Sequence, residues 1–182
     1  MRIVTIALAA ALMPLWAQEI KLPANIERLA AKAEETVDVS LDGSMLQLAG
    51  RFLSYKDEGQ AKTKRLLSGL QGISVKSFTF SSEGQYDAAD VDSVRAQLAA
   101  PQWSRIVGVT SKKDGEHADV YLKDGGNGTL GGIVIICAEP KELTIVRIAG
   151  ILDPSQLADL GGQFGVPKLD MGVHISGKKA GK

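Results

Sequence analysis

Three groups of residues have types and spacings that could do chemistry. Gly126-Asn127-Gly128-Thr129-Leu130-Gly131 spells G-x-G-x-x-G, which holds a dinucleotide pyrophosphate when it joins a strand to a helix. Glu83, Asp87, Asp90 and Asp92 gather four carboxylates into ten residues, material for calcium coordination or for paired acid–base work. Cys137, the one cysteine, and the two histidines, His117 and His174, are the obvious candidates for a nucleophile and its bases.

Each group also has a simpler reading, and the simpler reading is preferred. The glycines lie between "ADVYLK" and "IVIICA", a β-branched run without helical spacing, so no helix N-terminus waits for a phosphate. The segment from Gly125 to Gly132 is predicted to be a glycine-rich hairpin loop, longer than a tight turn needs. The carboxylates lack the D-x-[DN]-x-[DN]-G spacing of a calcium loop, and Asp87 and Asp90 suit the start of a helix. A hydrolase built on Glu83, Asp87 and Asp90 remains an alternative, because carboxylate separation is a three-dimensional quantity. Cys137 lies in "IVIICAEP" and reads as a buried, inert thiol. His117, beside a turn, and His174, near the C-terminus, read as surface residues outside any nucleophile motif. One Cys and two distant His are poor material for zinc. Trp103 and Tyr121 lie on different segments and read as packing residues. No catalytic, cofactor-binding or metal-binding residue is assigned.

The elements that would position these groups are set by periodicity. "PANIERLAAKAEE" places Ile26, Leu29, Ala30 and Ala33 on one helical face. "TVDVSL" alternates as a half-buried strand. Asp42 is a candidate N-cap for a helix burying Met45, Leu46, Leu48, Ala49, Phe52 and Leu53. "DEGQAKTKRLLSGLQG" predicts a further helix, with Leu66, Leu67 and Leu70 inward and Gly72 as its stop, and "ISVKSFTFSS" a strand. Asp87 and Asp90 open a helix with Val91, Val94 and Leu98 as its apolar face, ended by Pro101. From Trp103 onward come four β-rich runs, separated by "KKDGE", "KDGGNGTLGG" and "AEPKE". "ILDPSQLADLGG" then begins one more helix, with Asp153 as N-cap and Pro154 at its first position. The sum is one α+β domain: a mostly antiparallel sheet with a C-terminal β-meander and helices packed on one face.

The ends carry different information. "MRIVTIALAAALMPLWA", residues 1–17, has a charged start, an apolar middle, a proline and a small final residue, the grammar of a cleaved export signal. Residues 18–170 form the domain, and residues 171–182, ending "GKKAGK", a flexible basic tail. No transmembrane segment remains after leader cleavage, so a soluble periplasmic or extracellular protein is expected. With 21 Lys+Arg against 21 Asp+Glu there is no field to draw the chain onto nucleic acid.

"VDVSLDGSMLQLAGRFL", "WSRIVGVTSKKDGEHADVYLK" and "LTIVRIAGILDPSQLADLGGQFGVP" resemble the bacterial family known as domain of unknown function 4252. The resemblance implies an exported α+β domain without an assigned activity, and carries over no site residue. Many relatives resemble lipoproteins, and this chain departs from them in having no Cys at the end of its leader. The expected function is a non-enzymatic binding or interaction module, meeting a protein partner or forming a homodimer through the open sheet face. A small carrier for an apolar ligand between sheet and helices is the first alternative.

Overall fold

The computed structural model describes residues 22–154. The leader at 1–17, the helix expected after Asp153 (apart from its first residue, Pro154), His174 and the tail at 171–182 lie outside the described residues.

The period-two segments build one six-stranded sheet. In chain order the strands are β1 (Glu35–Asp42), β2 (Leu70–Thr79), β3 (Trp103–Ser111), β4 (Glu116–Gly126), β5 (Thr129–Glu139) and β6 (Glu142–Leu152). Their order across the sheet is β1-β2-β6-β5-β4-β3, and every neighbouring pair is antiparallel. The C-terminal meander is therefore present, and β6 joins it to the N-terminal pair. The α+β class is the one the sequence predicts.

Among the described residues four α-helices accompany the sheet: α1 (Ala24–Glu27), α2 (Gly43–Arg51), α3 (Glu58–Gly69) and α4 (Ala88–Arg95). The first is shorter than its periodicity suggests and continues as a 3-10 turn, Arg28–Ala31. Ile26 and Leu29 are buried, while Ala30 is exposed. Asp42 caps α2 by accepting from the Met45 N–H at 2.9 Å, and Asp57 caps α3 in the same way from Gln60. The Ser44 hydroxyl and the Met45 amide, both donating to Asp42, hold its carboxyl below the usual carboxylate range. At α4 the helix start expected at Asp87 and Asp90 is a complete capping box, each accepting from the other's backbone N–H. α3 ends at Gly69 and enters β2 without a loop, so Gly72 is a strand residue and not a stop.

Helices lie on both sides of the sheet rather than on one. Strand alternation places Phe78, Tyr121, Val134, Ile136, Leu143 and Ile145 on a common face, through pairs such as Tyr121↔Val134 and Ile136↔Ile145. Against it pack Ile26 and Leu29 from the N-terminal segment and Val91, Val94 and Leu98 from α4 and the turn after it. The opposite face carries Ile73, Val120, Ile133, Ile135 and Ile148, and α2 and α3 meet it through Leu46, Leu66 and Leu67. The reason is topological. The β1–β2 connection must return over one side of the sheet, and the β2–β3 connection crosses the other.

Candidate functional site

The two faces differ in how far they are covered. On the face packed by α1 and α4, Val134 and Ile136 are 1% exposed and Leu143 0%. We call this the packed face. The other, open face is aliphatic from edge to edge: Val37 and Val39 on β1, Ile73 and Val75 on β2, Val146 and Ile148 on β6, with β5, β4 and β3 continuing the pattern through registered partners. α2 and α3 cover only the end near Leu41 and Leu152. Elsewhere Val37, Val39 and Val109 are 40%, 41% and 48% exposed. The half-buried strand expected at "TVDVSL" therefore has its valines in the open.

The open face has polar limits at one end only. Glu35, Thr79, Glu142 and Glu139 are in register across β1, β2, β6 and β5, and Glu116 continues the row on β4 beside His117, which pairs with Ala138. This row of four glutamates crosses the end remote from α2 and α3. Ser77 and Thr144 both donate to the Glu142 carboxylate, at 3.0 and 2.9 Å, which draws that side chain over the face. Between the row and the helical end, the registered positions are Val, Ile, Leu, Ala, Cys, Ser and Thr, without a charge. α2 adds to the exposed apolar surface: only Leu46 and Gly50 are buried, while Met45, Leu48 and Phe52 are exposed, contrary to the wider inward face its sequence predicts. α2 rests on α3 and on one end of the sheet, and the stripe buried between them is no wider than Leu46 and Gly50.

A second feature is a cleft of about 360 Å³ between the start of α4 and the turns that close β3–β4 and β5–β6. Glu83, Asp87, Arg95, His117 and Glu139 line it over an apolar floor of Val91 and Ala138. Tyr86 closes one wall, donating its hydroxyl to the carbonyls of Glu139 and Glu142. Burial, with the nearby Glu139 charge, pushes its phenol up to about 12. The cleft has no place between the sheet and the leucine-rich helices, where a carrier for an apolar ligand would need one.

The four clustered carboxylates do not converge on this cleft. Glu83 and Asp87 line it, with Asp87 held in the capping box. Asp90 accepts from the Asn25 amide at 2.9 Å, and Asp92 pairs with Arg95 at 2.9 Å. Among the described residues, no three His, Cys, Asp or Glu side chains group so as to hold a metal ion.

The glycine stretch is a two-residue hairpin turn. β4 runs to Gly126 and β5 begins at Thr129, leaving Asn127 (φ 54°) and Gly128 (φ 76°) as the turn. Positive φ at both central positions is the geometry that favours Asn-Gly in hairpins. The longer loop expected over Gly125–Gly132 is taken up by register shifts at Asp124 and between Leu130 and Gly132. Trp103 and Tyr121 are core residues of the packed face, 8% and 7% exposed. His117 is exposed, its Nδ1 at 3.3 Å from the Thr110 hydroxyl. Cys137 is half-buried on the open face, and burial, aided by Glu139 and Glu142, pushes its thiol up from the ordinary value.

One cluster has no local signature in the sequence. Asp119, 1% exposed, accepts from Arg95 Nε at 2.8 Å and from Arg105 Nε at 2.8 Å. Burial disfavours the charged form of Arg95, yet its hydrogen bonds to Asp92 and Asp119 hold its pKa above the usual arginine value. Gly108, opposite Asp119 in the ladder, makes room: a Cβ there would collide with the Arg105 guanidinium. The available signal was phase, since Asp119 shares the inward alternation of Tyr121 in "ADVYL". Paired and hydrogen-bonded on both oxygens, this carboxylate fastens α4 and β3 to β4.

These features define a small α+β domain with one finished hydrophobic face, one open aliphatic face, and a polar cleft at the sheet end. The family profile of Domain of unknown function (DUF4252) matches residues 30–160, and the chain belongs to that family. Neither the curated proteins nor the solved structures contain a match to it. Among the described residues no helix is long and apolar enough to cross a membrane.

Proposed function

We propose that this is an exported, non-enzymatic interaction module whose working surface is the open sheet face, taking a protein partner or a second copy of the chain. The observation that carries the reading is the uncharged aliphatic field itself, with Val37, Val39 and Val109 left about half exposed. Contiguous exposed apolar surface of this kind mainly marks interaction sites. The leader pattern of residues 1–17 supports export. The absence of an enzyme function is part of the proposal, and rests on carboxylates occupied in caps and ion pairs.

A photo-crosslinking residue placed at Val39 or Val109 in the living cell tests the reading. It is expected to capture one protein of defined mass, or a second copy, and Val39→Asp with Val109→Asp is expected to abolish capture from the neighbouring position Val37. A folded protein that gives no adduct at any of these positions overturns it. N-terminal sequencing of the cellular protein checks export: a start at Gln18 is expected, and an intact Met1 would contradict it.

A further inference from the structure

Among the described residues two apolar surfaces lack cover, one on the sheet and one on a helix. On the open face, Val37, Ser77, Thr144, Cys137, Ala118 and Val109 form one registered row that belongs to neither hydrophobic cluster. The next row is also outside the clusters at Val39, Val75 and Val146, but at Ile135 and Val120 it joins the cluster of Leu46, Leu66 and Leu67. The bare area is therefore widest at the corner made by β1, β2 and β6, between the glutamate row and the helical end.

The helical surface is on α2. Leu46 and Gly50 make its buried stripe, and Met45, Leu48 and Phe52 recur at i, i+3 and i+7 as a second, exposed one. Phe52 is the C-cap residue and keeps helical φ and ψ, so it continues that stripe, and it is 82% exposed. At about 100° per residue the two stripes point about 150° apart. One looks into α3 and its own sheet, and the other looks away from both. A surface helix ordinarily has one apolar stripe, so a second on the opposite side marks a further layer to be met.

A second copy of the chain supplies that layer in one arrangement. Facing sheets related by a two-fold axis along the strands would stack α2 and α3 on their own copies at one end and hold the rest apart. A two-fold axis across the strands reverses the strand direction, sets each strand opposite its own copy, and brings each helical layer over the other chain's bare end. α2 lies against β1 and β2, so its outward stripe then falls on the other chain's Val37, Val39 and Val75. From Glu35 to Val39 is about 13 Å at about 3.3 Å per residue, room for one helix about 10 Å across. Charge agrees. Residues 43–69 carry five Lys and Arg against two Asp and Glu, and the end they approach bears the four glutamates.

We propose that the occupant of the open face is a second copy of this chain, related by a two-fold axis across the strands, with Met45, Leu48 and Phe52 of each copy against Val37, Val39 and Val75 of the other. The inference rests on the reading of the open face as the working surface and commits it to one partner. The contact is a single helix stripe on a sheet corner, repeated twice, which belongs to the small and reversible class of interfaces. Half dissociation at about 1 μM is expected. Dilution well below that returns the single chain, in which Val37 and Val39 stand exposed.

The test uses purified protein with Cys137→Ser, carrying Phe52→Cys in one batch and Val37→Cys in another. Mild oxidation of the mixed batches at about 50 μM, well above that dissociation constant, is expected to give a covalent dimer. Each batch alone is expected to give little, because the two Phe52 side chains lie towards opposite ends of the assembly. By sedimentation, Phe52→Gln is expected to raise the dissociation constant about tenfold or more. A covalent dimer formed as readily by the Phe52→Cys batch alone would overturn the arrangement, and so would an unchanged dissociation constant in Phe52→Gln. A monomer at about 50 μM that forms no crosslink would overturn the second copy itself. Capture of a different protein from Val39 in the cell would then preserve the interaction surface, whereas no capture at all would remove that reading too.

Discussion

The two faces of the same strands have opposite fates. Val134 and Ile136 are 1% exposed, while Val120, Ile135 and Cys137 on the opposite side of β4 and β5 are half-buried, and Val39 and Val109 on the edge strands are 41% and 48% exposed. Composition does not separate them, since both faces are built of Ile, Val and Leu. What separates them is the cover: the N-terminal segment and α4 close one, and a short helical pair closes one end of the other. An aliphatic residue stabilises the domain only where something lies above it.

That contrast can be broken most directly by truncation on each face. Leu143→Ala on the packed face is expected to destabilise the domain by about 3 kcal/mol, as deletion of a fully buried leucine generally does. Val39→Ala, at an exposed edge, is expected to change stability by less than about 0.5 kcal/mol. Chemical denaturation of both variants checks the pair. Equal losses would mean that Val39 is covered in solution, and the contrast would fail.

Asp119→Ala comes next. Removing the carboxylate takes the buried partner from two guanidinium groups that are 30% and 49% exposed, so water reaches both and a loss of about 2 kcal/mol is expected, less than for a fully buried pair. Replacing Asp119, Arg95 and Arg105 together by apolar residues is expected to recover most of that loss. A triple variant as weak as the single one would show that the cluster does more than fasten elements.

Two smaller effects sharpen the picture at the cleft. Asp87→Ala removes one half of the capping box on α4 and is expected to cost about 1 kcal/mol in thermal unfolding. Tyr86 titrates at about 12 in the fold against an ordinary 10.0, so the neutral phenol is the form the fold prefers. Its contribution is fully present below pH 10 and is lost as pH rises towards 12. Partial exposure reduces it to about 1 kcal/mol. Stability of the protein and of Tyr86→Phe, measured from about pH 9 to about pH 11.5, should show the intact protein losing more over that interval. On the open face, the raised thiol of Cys137 should make its alkylation at about pH 8 slower than that of a free cysteine.

How much of this was legible in the sequence depended on whether the signal was local. The helix start at Asp87 and Asp90, the apolar stripe of Val91 and Val94, and the four strands of the meander are set by neighbours in the chain, and they read correctly. The Asn127-Gly128 turn carried an equally local signal, but the longer glycine pattern around it suggested a larger loop. The faces were harder. "IVIICA" is apolar at every position, so its alternation says nothing about which side is covered, and runs of that kind are expected to be buried on both. Which helices cross which face is fixed by connections spanning tens of residues. For the same reason the Asp119 cluster was invisible: Arg95 and Arg105 lie 24 and 14 residues away and converge only when α4 crosses the sheet.

The most direct test of the open face as the working surface is native mass spectrometry of the protein purified gently from its own cells, beside the Val39→Asp, Val109→Asp double variant. The account predicts a second copy or a protein partner bound to the unaltered protein and absent from the variant, with equal melting temperatures for the two. Bare monomers in both samples would contradict it.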